Sequence, residues 1–220
     1  MRTDAPARTF VAMASLYERY VVPWLITRAC SATVFERQRM KVVPRAGGRV
    51  LELGMGGGLN LPFYDTARVE TLEGLEPSER LRRMAAAAAA AHPAGALHIT
   101  DGRAEALPFD AGAFDTVVCT FTLCSVADPA AALAEARRVL KPGGRFVFCE
   151  HGLAPDPDVV RWQRRIEPVW KRLAGGCHLT RPIASAIEEA GFRLIDKESM
   201  YLPKTPRWAG WNEWGEATPA

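Results

Sequence analysis

Val50-Leu51-Glu52-Leu53-Gly54-Met55-Gly56-Gly57-Gly58 decides the fold. A short apolar strand runs straight into a loop from which side chains are nearly absent, and glycines there let backbone N–H groups approach a ligand closely. A nicotinamide-dinucleotide fingerprint, G-x-G-x-x-G, needs glycine or alanine where this chain has Leu59, and a P-loop needs Gly-Lys-Ser/Thr, which is absent. What remains is E-x-G-x-G-x-G, in which Glu52 beside the loop suits a ligand carrying positive charge better than a pyrophosphate.

Outward from this stretch, strands and helices take turns. Strands are expected over 50–53, 69–75, 96–100, 114–121 and 145–150, and closing strands over 192–196 and 208–217. Helices are expected over 78–91, 128–140, 157–173 and 180–190, with Asp128 and Thr180 as N-caps, Lys141-Pro142-Gly143-Gly144 as one stop and Gly191 as another. That alternation argues for an α/β fold, a doubly wound and mostly parallel sheet. Residues 10–40 read as two helices broken near Pro23, a segment before the first strand that would close over the ligand as a helical lid. The whole chain, 1–220, reads as a single domain, with the lid over 1–45 and the ligand-binding and acceptor core over 46–220. Ala85 to Ala91 are strong helix formers and read as a lightly packed helix end.

Glu76 ends the second strand, where doubly wound folds place a carboxylate to accept hydrogen bonds from ribose hydroxyls. The ligand expected is therefore a nucleoside without phosphates.

At this point the sequence resembles the class I S-adenosylmethionine-dependent methyltransferases. The glycine loop from Glu52 to Gly58 and Gly74-Leu75-Glu76-Pro77-Ser78 carry the first resemblance. Gly102-Arg103-Ala104-Glu105-Ala106-Leu107-Pro108-Phe109, Ala113-Phe114-Asp115-Thr116-Val117-Val118 and Arg137-Arg138-Val139-Leu140-Lys141-Pro142-Gly143-Gly144 are similar to later motifs of its ubiquinone/menaquinone-type branch. The resemblance implies S-adenosylmethionine as cofactor, S-adenosylhomocysteine as product and no metal. It implies that Gly54, Gly56 and Gly58 surround the methionine part, that Glu76 holds the ribose and that Arg103 and Ala104 flank adenine, Arg103 standing where the family often has Asp. Tyr20, Glu52, Met55, Asn60, Pro77 and Thr120 are further cofactor contacts on the same ground.

A narrower resemblance, to the thiol methyltransferase branch, rests on Cys119 to Val126, Cys149-Glu150-His151, Trp162-Gln163, Glu167 to Trp170 and Gly176 to Arg181. It implies a small thiol as acceptor. His151, directly after the fifth strand and so at the carboxyl edge of the sheet, is the first candidate for taking the acceptor's proton, and His178 the second. Cys124, after the fourth strand, and Trp162 are candidates for the acceptor pocket. Buried cysteines behave as small hydrophobes, the ordinary reading for Cys119 and Cys149.

Composition narrows the rest. A net charge of +3, from 28 Lys+Arg against 25 Asp+Glu, is too slight to imply a nucleic-acid partner. Nor does Cys119-Thr120-Phe121-Thr122 supply the Asn/Asp-Pro-Pro-Tyr/Phe turn of a DNA amino-group methyltransferase. The longest early apolar run, Tyr20 to Ile26, falls far short of the ~20 residues that span a bilayer. The five cysteines form no C-x-x-C pair, so neither a disulfide framework nor a zinc knuckle is expected, and a reducing cytoplasm fits.

In 157–173, Trp162, Ile166, Val169 and Leu173 share one helical face, with Arg161, Arg164, Arg165 and Arg172 mostly on others. The ordinary reading is a core-facing stripe; the sharper one is a transient contact with an anionic membrane surface. The sequence thus points to methyl transfer onto a small molecule, most simply a thiol. The alternatives are N- or O-methylation of a phospholipid head group, quinone or other lipid-like molecule, and a regulatory protein that binds the cofactor without turning it over. Nothing in the sequence sets the oligomeric state.

Overall fold

A computed structural model describes residues 27–28, 30–91 and 96–220. Tyr20, the break at Pro23 and most of the expected lid lie outside the described residues.

After helix α1 (Thr33–Val42) and a 3-10 turn at Val43–Arg45, strand β1 (Gly48–Leu53) opens the sheet. It is followed by β2 (Val69–Leu75), α2 (Glu79–Ala89), β3 (Ala96–Thr100) and β4 (Phe114–Thr120). Then come α3 (Pro129–Val139), β5 (Leu140–His151), α4 (Pro157–Leu173), α5 (Ile183–Glu189), β6 (Phe192–Tyr201), α6 (Arg207–Gly210) and β7 (Trp211–Pro219). The seven strands form one sheet in the order β3-β2-β1-β4-β5-β7-β6. β1 to β5 pair in parallel, and β7 runs antiparallel between β5 and β6.

The sheet is buried on both faces because successive side chains of its central strands go to opposite sides. Leu51, Leu53, Val117, Cys119, Phe146 and Phe148 pack on one face with Leu133 and Ala136 of α3 and Ile183 and Ile187 of α5. Val50, Val118, Val147 and Cys149 pack on the other with Val42, Leu72, Ala85 and Trp214. Cys119 and Cys149 are fully buried core residues, as expected.

Caps and stops follow the sequence for the middle helices. Asp128 accepts from the Ala130 and Ala131 amides ahead of Pro129, and Ser78 accepts from Leu81. Gly191 ends α5 at φ +84°. Four boundaries move. Thr180 caps nothing: its amide and hydroxyl both donate to Glu167, and α5 begins only at Ile183, after Pro182. Lys141 to Gly144 join β5 as an irregular start, with the register against β4 shifting between Phe114 and Thr116. β6 continues to Tyr201, and Trp208 sits in the short α6 rather than in the last strand.

The alanine run has a packing role at one point. Ala85 is fully buried, and a Cβ on Gly58 would stand 3.2 Å from its Cα and 3.3 Å from the Ala88 Cβ. Only a glycine at 58 lets α2 approach the loop so closely.

Candidate active site

The strand order reverses between β1 and β4, the crevice where open α/β sheets bind ligands. A cavity opens there at the carboxyl ends of the strands, lined by Arg39, Glu52, Gly54, Asn60, Thr120 and Phe121 among others.

Its floor is polar and tied together. Asn60 donates to Glu52 at 2.9 Å and to the Thr120 hydroxyl at 3.0 Å, and the Tyr64 hydroxyl donates to the other Glu52 oxygen at 2.7 Å. Burial outweighs these bonds, so the Glu52 carboxyl is pushed up to about 7. Gly54 and Gly56 both have positive φ, 64° and 58°. A Cβ on Gly54 would strike the Thr122 side chain at 2.4 Å, whereas one on Gly56 would meet nothing closer than 3.9 Å. Gly56 therefore faces open space, and its conformation rather than crowding requires glycine.

Glu76 reaches back to this loop. Its carboxylate accepts from the Gly56 amide at 3.0 Å and from the Ser78 amide at 2.8 Å, and burial raises its pKa. Met55 turns its thioether onto Gly74, where a Cβ would stand 2.3 Å from the sulfur, so its side chain belongs to the core. Pro77 is exposed, and its carbonyl accepts from Arg82. Arg103 points outward to Glu105 at 3.2 Å, while Ala104 is buried.

Arg39 is a residue that sequence reasoning missed. It is 4% exposed, donates to the Cys30 carbonyl at 2.8 Å and lies 5.1 Å from the centre of the Phe121 ring. Among the described residues its Nε has no hydrogen-bond partner. A buried guanidinium with an orphan donor on a ligand cavity fits an anionic group of that ligand. Phe121 has φ +53°, a conformation costing roughly 1–3 kcal/mol for an aromatic residue. The hydrogen bond its amide donates to the Cys149 carbonyl at 2.9 Å and its edge-on contact with Phe35 hold it there.

The loop after β4 is held by Glu150, again unassigned from sequence. Its fully buried carboxylate accepts from the amides of Thr122 at 2.7 Å, Leu123 at 3.0 Å and Cys124 at 3.3 Å. Burial pushes Glu150 up against the pull of these donors. Beside it, His151 Nε2 lies 3.1 Å from Cys177 Sγ, and the ligand atoms of Cys124, His151 and Cys177 all lie within 4.8 Å of one another. The Cys124 thiol is driven well above its ordinary value, first by its hydrogen bond to Cys177 and then by burial. Burial opposes charging of His151, but Cys124 and Glu150 outweigh it and hold its pKa up.

The side chains of His178 and Trp162 do not join this group. His178 Nδ1 meets Glu167 at 3.1 Å, and Glu167 also accepts from the Leu179 and Thr180 amides, so this histidine fastens the loop after α4. Trp162 corrects the expectation of a pocket residue: it is 57% exposed on the outer face of α4, with Arg165 5.9 Å from its ring centre. Val169 and Leu173 on the same face are 60% and 57% exposed. The stripe is therefore not core-facing; Val159 and Gln163 are the buried residues of α4.

Residues 51–148 match the model of the methyltransferase domain family. A thiol S-methyltransferase of Homo sapiens is 35% identical over 174 residues, covering 75% of this chain and 69% of that protein. The chain belongs to the class I S-adenosylmethionine-dependent methyltransferases. A thiol S-methyltransferase of Rattus norvegicus is 36% identical over 160 residues, 72% of this chain; the chain spans 65% of that relative's length, just under two thirds. A demethylmenaquinone methyltransferase of Clavibacter sepedonicus is 35% identical over 54% of this chain and 48% of its own. The fold is that of an S-adenosylmethionine-dependent methyltransferase of Mesorhizobium loti, with a TM-score of 0.62 at 22% identity over 85% of this chain and 98% of that one. The cavity of this methyltransferase thus brings together an open glycine turn at Gly56, the Glu76 carboxylate behind that turn and the buried guanidinium of Arg39.

Proposed function

We propose that this methyltransferase moves the methyl group of S-adenosylmethionine to the sulfur of a small thiol. The observation that carries the acceptor is the meeting of His151 with Cys177 and Cys124, a ring nitrogen 3.1 Å from sulfur at the carboxyl ends of β4 and β5. The thiol S-methyltransferases among its relatives support the same acceptor.

The cofactor supplies a methyl group on a sulfonium, already a good leaving group. Arg39 would hold its carboxylate, the Gly54 to Gly58 loop its methionine part and Glu76 its ribose hydroxyls. Glu52, when ionised, adds negative charge on the floor of the same cavity. Phe121 and the Glu150-bound loop fix the wall on which the acceptor lies, which matters because in-line displacement depends on alignment and exclusion of water. His151 takes the acceptor's proton, since an ordinary thiol with a pKa of about 8.5 is mostly protonated at neutral pH.

The second reading, a lipid-like acceptor, is favoured by α4. Its exposed Trp162, Val169 and Leu173 lie beside Arg161, Arg165 and Arg172, the pattern of a helix resting on an anionic interface. No helix among the described residues is long and apolar enough to cross a membrane.

Labelled S-adenosylmethionine offered with a panel of small thiols, amines, phenols and lipid extracts tests both readings, with S-adenosylhomocysteine release followed alongside. Label on thiols is expected. Label confined to lipids or phenols would discard the thiol, and cofactor binding without release for any acceptor would indicate a sensor.

A further inference from the structure

Cys124, His151 and Cys177 come from three separate segments: the loop after β4, the end of β5 and the loop after α4. We propose that Cys124 Sγ, Cys177 Sγ and His151 Nε2 are three ligands of a soft divalent cation, with zinc as the reference ion, and that the fourth position takes the acceptor's thiolate. The fourth-ligand part rests on the thiol reading above.

The geometry is close to what such an ion needs. Metal–sulfur and metal–nitrogen bonds of about 2.3 and 2.0–2.1 Å put tetrahedral ligand atoms roughly 3.5–3.8 Å apart. Here the three atoms lie within 4.8 Å of one another, and the closest recorded pair, Cys177 and His151, is 3.1 Å apart. Closing on an ion thus takes side-chain adjustments of ångström size or less. Two sulfurs and an imidazole with no carboxylate in the set select zinc or a similar soft ion over magnesium or calcium.

Both sulfurs have a polar neighbour that can orient them. Trp170 Nε1 donates to Cys177 Sγ at 3.4 Å, and the Ser125 hydroxyl lies 3.4 Å from Cys124 Sγ. Such outer donors orient and tune metal ligands. The backbone is equally fixed: Glu150 accepts the Cys124 amide, the His178 amide donates to the Cys124 carbonyl at 2.7 Å, and the Cys177 amide donates to the Ala174 carbonyl at 3.2 Å. Among the described residues no fourth His, Cys, Asp or Glu atom joins the group. A three-ligand set leaves a position for water or substrate, the arrangement of zinc sites that act on a ligand.

Loading releases the two thiol protons to solvent as two metal–sulfur bonds form, and nothing is oxidised or reduced. An acceptor thiol entering the fourth position loses its own proton in the same way, so in the loaded protein His151 serves as ligand rather than base.

The test uses the full chain, kept reduced, freed of metal with a chelator and titrated with cobalt(II). The expected result is one equivalent bound, with sulfur-to-cobalt charge-transfer absorption and the intense visible bands of a tetrahedral site. Zinc should displace the cobalt. The charge-transfer band should be lost or halved in Cys177→Ser, and Trp170→Phe should bind about tenfold more weakly. Adding 2-mercaptoethanol should shift the visible bands. Substoichiometric binding, or the pale spectrum of an octahedral ion, in the unaltered protein overturns the site without recourse to any variant. Tetrahedral cobalt whose bands ignore the added thiol overturns the fourth-ligand assignment. Tetrahedral cobalt in a protein that methylates only lipids supports the site and overturns the thiol reading, so the two failures are distinguishable.

Discussion

Glu76 accepts a hydrogen bond from the Gly56 amide at 3.0 Å, so the end of β2 and the turn after β1 are one unit. The same carboxylate holds the Ser78 amide at the start of α2. The shape of the glycine turn and the start of α2 thus depend on a single side chain, the one proposed to hold the ribose.

Replacing Glu76 by Ala should weaken S-adenosylmethionine binding by about 1–3 kcal/mol, the cost of leaving polar groups unpaired. Isothermal titration calorimetry reads this directly. Retained affinity would place the ribose elsewhere.

Arg39→Met should cost a comparable amount, roughly 1.5–3 kcal/mol, because the orphan Nε is expected to meet the cofactor's carboxylate. Decarboxylated S-adenosylmethionine separates this from a packing defect. The unaltered protein should prefer the carboxylated form, and Arg39→Met should bind the two about equally.

The glycine loop and Glu76 were legible in the sequence because their chemistry is local. A strand running into glycines, and an acid at the end of the next strand, occupy positions that the α/β alternation itself dictates. The core alternation along β1, β4 and β5 was legible for the same reason. Arg39 and Glu150 were not, since each acts across the fold: Arg39 reaches Cys30 and Phe121, and Glu150 gathers amides more than twenty-five positions away. Periodicity also misplaced the α4 stripe. It shows that Trp162, Val169 and Leu173 share a face but not which side of the helix meets the sheet, and Gln163, bonded to Ala154 and Gly152, takes the buried side. Thr180 misled because Glu167, distant along the chain, competes for the very groups that would have capped a helix.

Exposure makes α4 separable from folding. Trp162→Ser should change thermal stability by no more than about 0.5 kcal/mol, as for other exposed positions. Binding to vesicles containing anionic lipid, followed by flotation, should fall in the same variant and also in Arg161→Ala/Arg165→Ala. Equal flotation of all three proteins would remove the membrane surface as a partner for this face.

Glu52 supplies a pH signature. Its carboxyl titrates at about 7 in the folded protein, against an unfolded value near 4.5, because burial disfavours the charge. A raised folded value means that the folded state holds the extra proton between these pH values. The favourable contribution is therefore complete below pH 4.5 and is lost as pH rises through 7. Against Glu52→Gln, which does not titrate, the unaltered protein without cofactor should lose on the order of 3 kcal/mol of relative stability between pH 4.5 and 8. Urea denaturation at several pH values measures that difference. Cofactor affinity should move the opposite way, since the sulfonium favours ionised Glu52: binding to the unaltered protein should strengthen from pH 6 to 8 while that of Glu52→Gln stays level. A stability gap that does not change with pH would mean that Glu52 titrates as an ordinary carboxylate despite its burial.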